Sequence, residues 1–575
     1  MTIPPLPKLL GERTWSRLAD LLILAAGVAL FYGIVRIART WLGPYTPSVH
    51  ISRSPWALPV YTAYSVLRIA VAYVLSLVFA LGFGYAATRS SRAERFLVPL
   101  LDILQSIPVL SFLPGVMLAM VALFPHSQAG LELGAIALIF TGQVWNLAFS
   151  FYSSLKAIPR ELSDVARIYR FGRWQRLFQI ELPYAAQGLV WNSMMSVAGG
   201  WFFLMACEMF VLGNRDFRLP GLGSYLQTAA ADGDTVSILW GLAAMVGVIV
   251  LLDQVVWNPL IAWADKFKFE QTQSGGRPHS PVLVLLRRSE ILAQVRAKAL
   301  DPLSEKLALY LARSSGNPRP PGATAAWKIW AGRILASAAL IVVVYGVVRA
   351  GALMAGLTTA DLNSLLGGAG ATFLRVCVAL AFGTLWTVPV GVAIGSSPRL
   401  ARFAQPLAQI AASVPATALF PVVLLLLIRA GGGMNAAAIL LMILGTQWYL
   451  LFNVIAGAMA IPSDLKQVAA AFRFGRADRW RRLILPCIFP YLITGLVTAA
   501  GGAWNASIIA EYFRFGGQTL STVGLGAIIS KATDAGRFDL LLAATFTMAA
   551  IVVIINRLLW KPLYRLSGSR FKLET

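Results

Sequence analysis

The chain has 575 residues, of which 58% are hydrophobic and only 13% charged, and its mean hydropathy is +0.69. This composition is typical of a polytopic membrane protein and argues against a soluble enzyme. The formal net charge of +24 does not indicate nucleic-acid binding, because an Arg/Lys excess in a membrane protein first marks loops that stay cytoplasmic.

Apolar stretches long enough to cross a bilayer recur along the whole chain, and about twelve are expected. The first begins near Leu21 and is not followed by a small-residue cleavage site, so a retained span is favoured over a cleaved signal peptide. Arg13 and Arg17 precede it and place the N-terminus in the cytoplasm. Clear examples lie within 21–39, 237–257, 335–355, 434–455 and 539–559.

An internal repeat covers nearly all of the chain. In the first part of each half the matching residues are displaced by 307 positions, and after the turn between the third and fourth spans by 303. The first displacement pairs Arg68, Pro108 and Pro114 with Arg375, Pro415 and Pro421. The second pairs Trp145, Gly172, Pro183, Glu208, Gly223 and Trp257 with Trp448, Gly475, Pro486, Glu511, Gly526 and Trp560.

Six spans in each half would make the repeat parallel, because an even number returns the chain to its starting side. The expected cytoplasmic loops are richer in basic residues than the opposite ones, as this topology requires. We therefore expect an all-α membrane protein with both termini in the cytoplasm. The sequence divides into a first half at 1–265, a basic cytoplasmic linker at 266–328 and a second half at 329–575.

The middle of the linker has helical apolar spacing and a basic face. This pattern fits a helix on the cytoplasmic leaflet or against a partner, and it equally fits a solvated linker with some helix. Within each half, the proline-rich segments SIPVLSFLP (106–114) and SVPATALFP (413–421) should interrupt or bend the third span.

The long loop between spans four and five is repeated with its glycines and prolines in register, at 158–183 and 461–486. Pro159 and Pro462 suit the start of a short helix, whose first turn then holds Glu161 or Asp464. We expect Gly172 and Gly475 to end that helix through a backbone turn closed to other residues, and Leu-Pro to mark entry into span five. The result would be a short helix-turn-helix unit in each half, here called the knuckle, to which a partner could bind.

This loop resembles the EAA loop of binding-protein-dependent ABC importer permeases, whose short coupling helix docks on an ATPase subunit. Here Val165-Ala166 and Val468-Ala469 stand where the family has its alanine pair, and Asp464 replaces the leading glutamate in half two. The resemblance implies the type I importer fold over roughly 61–265 and 370–568. The ATPase-coupling residues it implies are Glu161, Leu162, Ala166, Gly172, Asp464, Leu465, Ala469 and Gly475.

The segments GGAWNASIIAEYF (501–513) and GGWFFLMACEMF (199–210), with GLG at 221–223 and 524–526, are similar to the nitrate/sulfonate/taurine branch of that family. The resemblance implies two separate ATPase subunits that bind ATP and Mg, and an extracytoplasmic binding protein that delivers solute. It also implies a bacterial inner-membrane location and a small solute, with small anions such as nitrate, sulfonate, taurine or bicarbonate as the candidates. The sequence contains no phosphate-binding GxxxxGK[ST] segment, so ATP should bind on another chain.

Ionisable residues inside spans usually have a partner or a role in the transport pathway. Arg68 and Glu208 are expected at similar depth in half one, as are Arg375 and Glu511 in half two, so each half is predicted to contain an Arg–Glu pair. A structural tie between spans two and five is the first interpretation, and substrate recognition is the second. Candidate pathway residues are Trp145, Trp201, Glu208, Trp448, Trp504, Asn505 and Glu511, although tryptophans in spans more often pack or anchor.

A gradient-driven secondary transporter with six plus six spans is the alternative function. It would call for acidic or histidine groups at mid-membrane, whereas His50, His126 and His279 all lie outside the confident spans. The sequence shows no nucleophile–base constellation and no metal-ligand spacing, so neither a catalytic nor a metal site is predicted.

Overall fold

A computed structural model describes residues 12–41, 43, 49–212, 215–267, 281–303, 305–306, 309, 326–515 and 518–570. Half one consists of helices and one small hairpin in a fixed order. They are α1 (Glu12–Trp41), α2 (Leu58–Arg89), α3 (Ser91–Ser106), α4 (Leu113–Leu123), α5 (Ala129–Lys156), α6 (Arg160–Ile168), α7 (Arg173–Arg176), α8 (Leu182–Glu208), β1 (Val211–Leu212), β2 (Arg215–Asp216), α9 (Leu222–Ala231), α10 (Thr235–Leu252) and α11 (Asn258–Ala264).

The linker contributes α12 (Pro281–Arg288) and α13 (Glu290–Val295), and half two then repeats the order of half one. Its elements are α14 (Ala326–Met354), α15 (Thr359–Ser396), α16 (Pro398–Ser413), α17 (Ala416–Arg429), α18 (Met434–Met459), α19 (Ser463–Ala471), α20 (Arg476–Asp478), α21 (Leu485–Ala510), β3 (Tyr512–Phe515), β4 (Gln518–Ser521), α22 (Leu525–Asp534), α23 (Phe538–Ile555) and α24 (Lys561–Arg570). Both hairpins, β1–β2 and β3–β4, are antiparallel.

Eight helices in the described residues are long and apolar enough to cross a membrane, four in each half. The other predicted spans correspond to α1, α14 and the broken third spans. Span three divides as predicted: α3 ends at Ser106 and α4 begins at Leu113, with Pro108 in extended backbone between them. In half two, α16 ends at Ser413 and α17 begins at Ala416. The fold is an all-α polytopic membrane protein.

The α-helices of span five begin at the Leu-Pro pairs, at Leu182 and Leu485, and other helical turns directly precede them. One continuous helical segment runs from Arg173 to Glu208 and another from Arg476 to Ala510. A π-helical turn precedes each internal proline, at 177–181 before Pro183 and at 479–484 before Pro486. Proline has no backbone N–H to donate, and its ring clashes with the carbonyl of the residue four positions earlier. A wider turn before the proline lets the helix continue past it.

The two halves are packed together around one apolar core that draws residues from both. The break in span three is part of this contact: the Leu110 amide of half one donates to Asn505 Oδ1 of half two over 3.4 Å. In addition, Thr545 of α23 donates to the Ser111 carbonyl over 3.3 Å.

The described part of the linker is anchored to the start of the chain. Asp20 in α1 accepts hydrogen bonds from the Ser289 hydroxyl and, over 3.2 Å, from the Ile291 amide. Ser289 is buried. The helix predicted in the linker is therefore present and packs against α1, while much of its surface stays exposed.

Candidate functional site

The two ends of α8 and α21 carry different structures. The knuckle end consists of α6–α7 and α19–α20. The hairpin end consists of residues 209–212, 215–234, 512–515 and 518–537. Because α8 alone has 27 residues, these ends lie about 40 Å apart. The predicted coupling residues lie at the knuckle end and the predicted ion pairs at the hairpin end.

In half one, a buried cluster surrounds Arg68 of α2. Its guanidinium donates to both oxygens of Glu132, over 2.6 and 2.8 Å, and Nη1 donates to Glu208 Oε1 over 2.7 Å. Nη1 also reaches the Pro220 carbonyl at 2.8 Å. The arginine and Glu208 are fully buried, so spans two, four and five are tied together by charge-assisted hydrogen bonds.

In half two, Arg375 makes the corresponding contact to Glu511, with Nη1 at 2.7 Å from Oε1. Asn435 replaces the second carboxylate and accepts from Nη2 over 2.7 Å, as do Thr522 Oγ1 at 2.8 Å and the Val523 carbonyl at 2.7 Å. Both predicted Arg–Glu pairs are thus brought within hydrogen-bond distance. The half-one cluster contains one more carboxylate than the half-two cluster.

Glu132 was missed by sequence reasoning. It lies in the apolar segment GLELG at the start of α5, and position 435 of the repeat carries a polar Asn. An ionisable residue inside an apolar helix, matched by a polar residue in the other half, was the available signal.

The GLG segments explain how these carboxylates are held. The amide of Gly223 donates to Glu208 Oε2 over 2.7 Å, and the amide of Gly526 donates to Glu511 Oε2 over 2.9 Å. These amides begin α9 and α22, and the positive end of each helix dipole faces a carboxylate.

The first glycine of each segment is required by close approach rather than by backbone angle. A Cβ on Gly221 would lie 2.3 Å from the Glu208 carboxylate, and one on Gly524 would lie 2.1 Å from that of Glu511. Both glycines have an extended backbone, with φ of 177° and 174°. A side chain at either position would push the carboxylate away from its partners.

At the knuckle end, α6 and α19 begin after Pro159 and Pro462 as expected, with Glu161 and Asp464 exposed in their first turns. Leu162 is half-buried and Leu465 is exposed, whereas Ala166 and Ala469 are buried.

The prediction that glycine ends these helices was wrong. The left-handed residues are Arg170 and Arg473, with φ of 51° and 48°. Gly172 and Gly475 have φ of −68° and −63°, which any residue can adopt, and they start α7 and α20. The turn is instead closed by backbone bonds, in which the Phe171 and Phe474 amides donate to the Ala166 and Ala469 carbonyls. Local sequence suggested glycine because it is the residue that adopts positive φ most easily.

The candidate pathway tryptophans lie within the packing. Trp201 and Trp504 are each only 2% exposed in the shared core. Trp145 packs near Leu101 and Leu147. Trp448 packs near Ile394 and Ile455. Among the predicted pathway residues, Asn505 lies at the contact between halves, where its equivalent is Phe202.

The halves also differ where spans two, five and six meet. In half two, a cavity of about 480 Å³ is lined by residues that include Cys377, Leu380, Leu496 and Trp504. In half one, Tyr73 stands at the equivalent of Leu380; its hydroxyl donates to Ser193 over 2.9 Å and its ring meets Trp257 edge to face.

This geometry defines a duplicated polytopic membrane protein with a knuckle at one end of each half and a buried ion cluster at the other. Residues 72–258 and 387–560 each match the family of binding-protein-dependent transport system inner membrane components, so the chain belongs to that family. It is a fused, two-domain permease of the ABC importer type.

Three curated relatives illustrate the similarity. The chain is 28% identical over 188 residues to the nitrate import permease protein NrtB of Leptolyngbya laminosa, covering 33% of this chain and 64% of that protein. It is 26% identical over 187 residues to the bicarbonate transport system permease protein CmpB of Synechococcus elongatus, covering 32% and 64%. It is 25% identical over 242 residues to the trimethylamine N-oxide transport system permease protein TmoV of Pelagibacter ubique, covering 42% and 29%.

Proposed function

We propose that this permease imports a small polar solute into the bacterial cytoplasm by alternating access. ATP and Mg would bind on two separate ATPase subunits, one docked on each knuckle. The binding protein would dock at the hairpin end, which faces away from the cytoplasm. Both termini and the knuckle end lie in the cytoplasm, in keeping with the many arginines near α6 and α19.

Exposed apolar side chains on the knuckles carry the proposal. Tyr169 is 71% exposed and its repeat partner Phe472 is 74% exposed, and Val165 and Val468 lie exposed one turn before them. The same apolar groups are exposed on two helices that are otherwise surrounded by polar residues. Such a repeated face indicates an interaction site, because a protein without a partner rarely exposes an apolar patch to water. An apolar knob is suited to a groove on a partner subunit.

The knuckles are built so that a displacement would reach the spans. Ala166 and Ala469 pack inward, and Ala469 shares a cluster with Val454 of α18 and Ile488 of α21. Each knuckle also continues directly into the helix of span five. Movement of the two ATPase subunits could therefore rock one half against the other as rigid bodies.

The names of the relatives are the support for the solute class. These names include nitrate, bicarbonate and trimethylamine N-oxide. Sulfonates and taurine extend the same group of small polar solutes.

Co-purification tests the docking proposal. The tagged protein would be extracted from native membranes in mild detergent, and the accompanying proteins identified by mass spectrometry. We expect an ATPase subunit with the parent, and its loss with the double variant Tyr169→Asp, Phe472→Asp. Val523→Asp is the matched control, since Val523 is 67% exposed at the hairpin end and should not affect the ATPase.

The single variants Tyr169→Asp and Phe472→Asp test whether there are two docking sites. If there are two, each single variant should retain part of the ATPase that co-purifies with the parent. Absence of any ATPase from the parent, or its full retention by the double variant, would refute the proposal. A gradient-driven transporter would then become the better explanation.

A further inference from the structure

The linker helices α12 and α13 are held at the depth where span one enters the bilayer. The apolar run of α1 begins at Leu21, directly after Asp20, so the Asp20 carboxylate lies where hydrocarbon gives way to lipid headgroups. The Ser289 hydroxyl and the Ile291 amide both donate to this carboxylate. The start of α13 is therefore fixed at the level of the headgroups.

Helix α1 borders the lipid along the side of the bundle. Leu21, Leu24 and Val28 form one stripe along α1 and are between 61% and 65% exposed. A water-soluble subunit cannot cover a stripe within the hydrocarbon, so lipid tails cover it. The other end of α1 lies at the hairpin end, where Thr40 accepts a hydrogen bond from Tyr64 of α2. The linker helices thus lie at the knuckle end of the molecule, at its lipid-facing edge.

Apolar side chains are exposed on both linker helices. Val284 of α12 is 43% exposed, and Ile291 and Val295 of α13 are 40% and 47% exposed. Ile291 and Val295 are four residues apart and therefore share one face of their helix. Exposure of this face to water is unfavourable, whereas its insertion between lipid headgroups removes it from water.

Basic side chains lie close to these apolar ones. Arg287 and Arg288 follow the exposed valine of α12 by three and four residues, and Lys298 follows the exposed valine of α13 by three. All three are exposed, and none belongs to an ion pair within the described residues. Arg296, by contrast, is bound by Asp301 over 3.5 Å. An apolar face bordered by unpaired basic groups is complementary to a negatively charged bilayer surface.

We infer that α12 and α13 bind anionic phospholipids at the surface of the bilayer. Their exposed apolar side chains insert between the headgroups, and the three unpaired basic side chains contact lipid phosphates. A protein partner is the competing occupant of this face, but the anchor on Asp20 keeps the helices at the bilayer surface. The inference goes beyond the proposed import function, since it requires neither the solute nor the ATPase.

Fluorescence quenching in lipid nanodiscs tests this contact. Val295→Cys and Ala293→Cys would each be introduced into the full-length protein and labelled with a fluorophore. Cys377→Ser removes the exposed native cysteine, and the other two cysteines are buried. Ala293→Cys is the matched control, because Ala293 is exposed and lies about 200° around the helix from Val295. The nanodiscs contain phosphatidylcholine alone or mixed with phosphatidylglycerol, and the quenchers are nitroxide-labelled lipid and aqueous iodide.

The label at position 295 should be quenched by the nitroxide lipid and shielded from iodide when phosphatidylglycerol is present. The label at position 293 should stay open to iodide in both lipids. Arg287→Gln, Arg288→Gln and Lys298→Gln should each weaken the phosphatidylglycerol-dependent contact by about fivefold, and high salt should act in the same direction. These side chains are exposed, so we expect the variants to fold like the parent.

The inference is overturned if iodide reaches position 295 as easily as position 293 in both lipids, or if shielding at 295 does not depend on phosphatidylglycerol. It is also overturned if the three Gln variants keep the full lipid contact, or if shielding appears only after an ATPase subunit is added, which would make the occupant a protein. The lipid measurements require no ATP, solute or ATPase. Their failure therefore leaves the docking proposal standing, and a failed co-purification leaves their result intact.

Discussion

Replacing Gly221 by alanine should disrupt the buried cluster of half one. The added Cβ would lie 2.3 Å from the Glu208 carboxylate, whereas nonbonded contacts of this kind need about 3.5 Å, so the carboxylate must retreat by roughly 1 Å. Its bonds from Arg68, Ser65 and Gly223, each 2.7 Å long, would then exceed hydrogen-bond distance.

The expected cost follows from leaving a buried charge partly uncompensated. Breaking a buried ion pair costs about 3 to 5 kcal/mol. The bidentate contact between Arg68 and Glu132 would remain, which places the Gly221→Ala loss toward the lower part of that range. Combining Gly221→Ala with Glu208→Asp should recover part of the loss, since the shorter side chain leaves room for the methyl group.

Thermal stability of the purified protein in detergent is the measurement, read as loss of the monodisperse peak after heating. Gly247→Ala is the matched control, because Gly247 lies in α10 with no atom within 4 Å of the added Cβ. We expect that control to be neutral or slightly stabilising. Equal stability of Gly221→Ala and the parent would refute the close-approach reasoning, and equal losses in both variants would show that the effect is not specific to the cluster.

Three further predictions concern other parts of the molecule. Arg473→Gly should make the second knuckle more stable by about 1 kcal/mol, because Arg473 has a φ of 48°, whereas Gly475→Ala should be neutral because Gly475 has a φ of −63°. Hydrogen exchange over residues 463–475 measures both effects, and a knuckle stabilised by Gly475→Ala but not by Arg473→Gly would contradict this assignment of the turn. Tyr73→Phe should cost about 1 kcal/mol through the lost bond to Ser193, and thermal stability unaffected by this change would contradict that contact. Lys156 and Tyr152 lower the pKa of Glu94 below its usual 4.5, so the stabilisation from Glu94 is present above that pH and is lost as the pH falls through the lowered pKa. The stability difference between the parent and Glu94→Gln should therefore be constant from pH 7 to 5 and shrink below pH 4.5, and a difference that persists at lower pH would contradict the assignment.

The duplication, the spans and the positions of the knuckles could all be predicted because they depend on local patterns. Apolar length predicts spans, and proline predicts both helix starts and the break in span three. The Arg–Glu pairing could also be proposed, because the membrane makes an unpartnered charge costly and the repeat places the same two residue types in each half.

Tertiary packing decided the rest, because contacts between residues far apart in sequence leave no local pattern. Arg68 meets Glu132 across 64 positions and Pro220 across 152, and only the packed helices show that Gly221 must lack a side chain there. The left-handed turn fell on Arg170 and Arg473 rather than on the nearby glycines because the closed knuckle, not residue preference, sets those backbone angles. The cavity of about 170 Å³ that Leu110 of half one and Tyr512 of half two both line likewise forms only when the two halves pack together, since no segment of the chain contains it by itself.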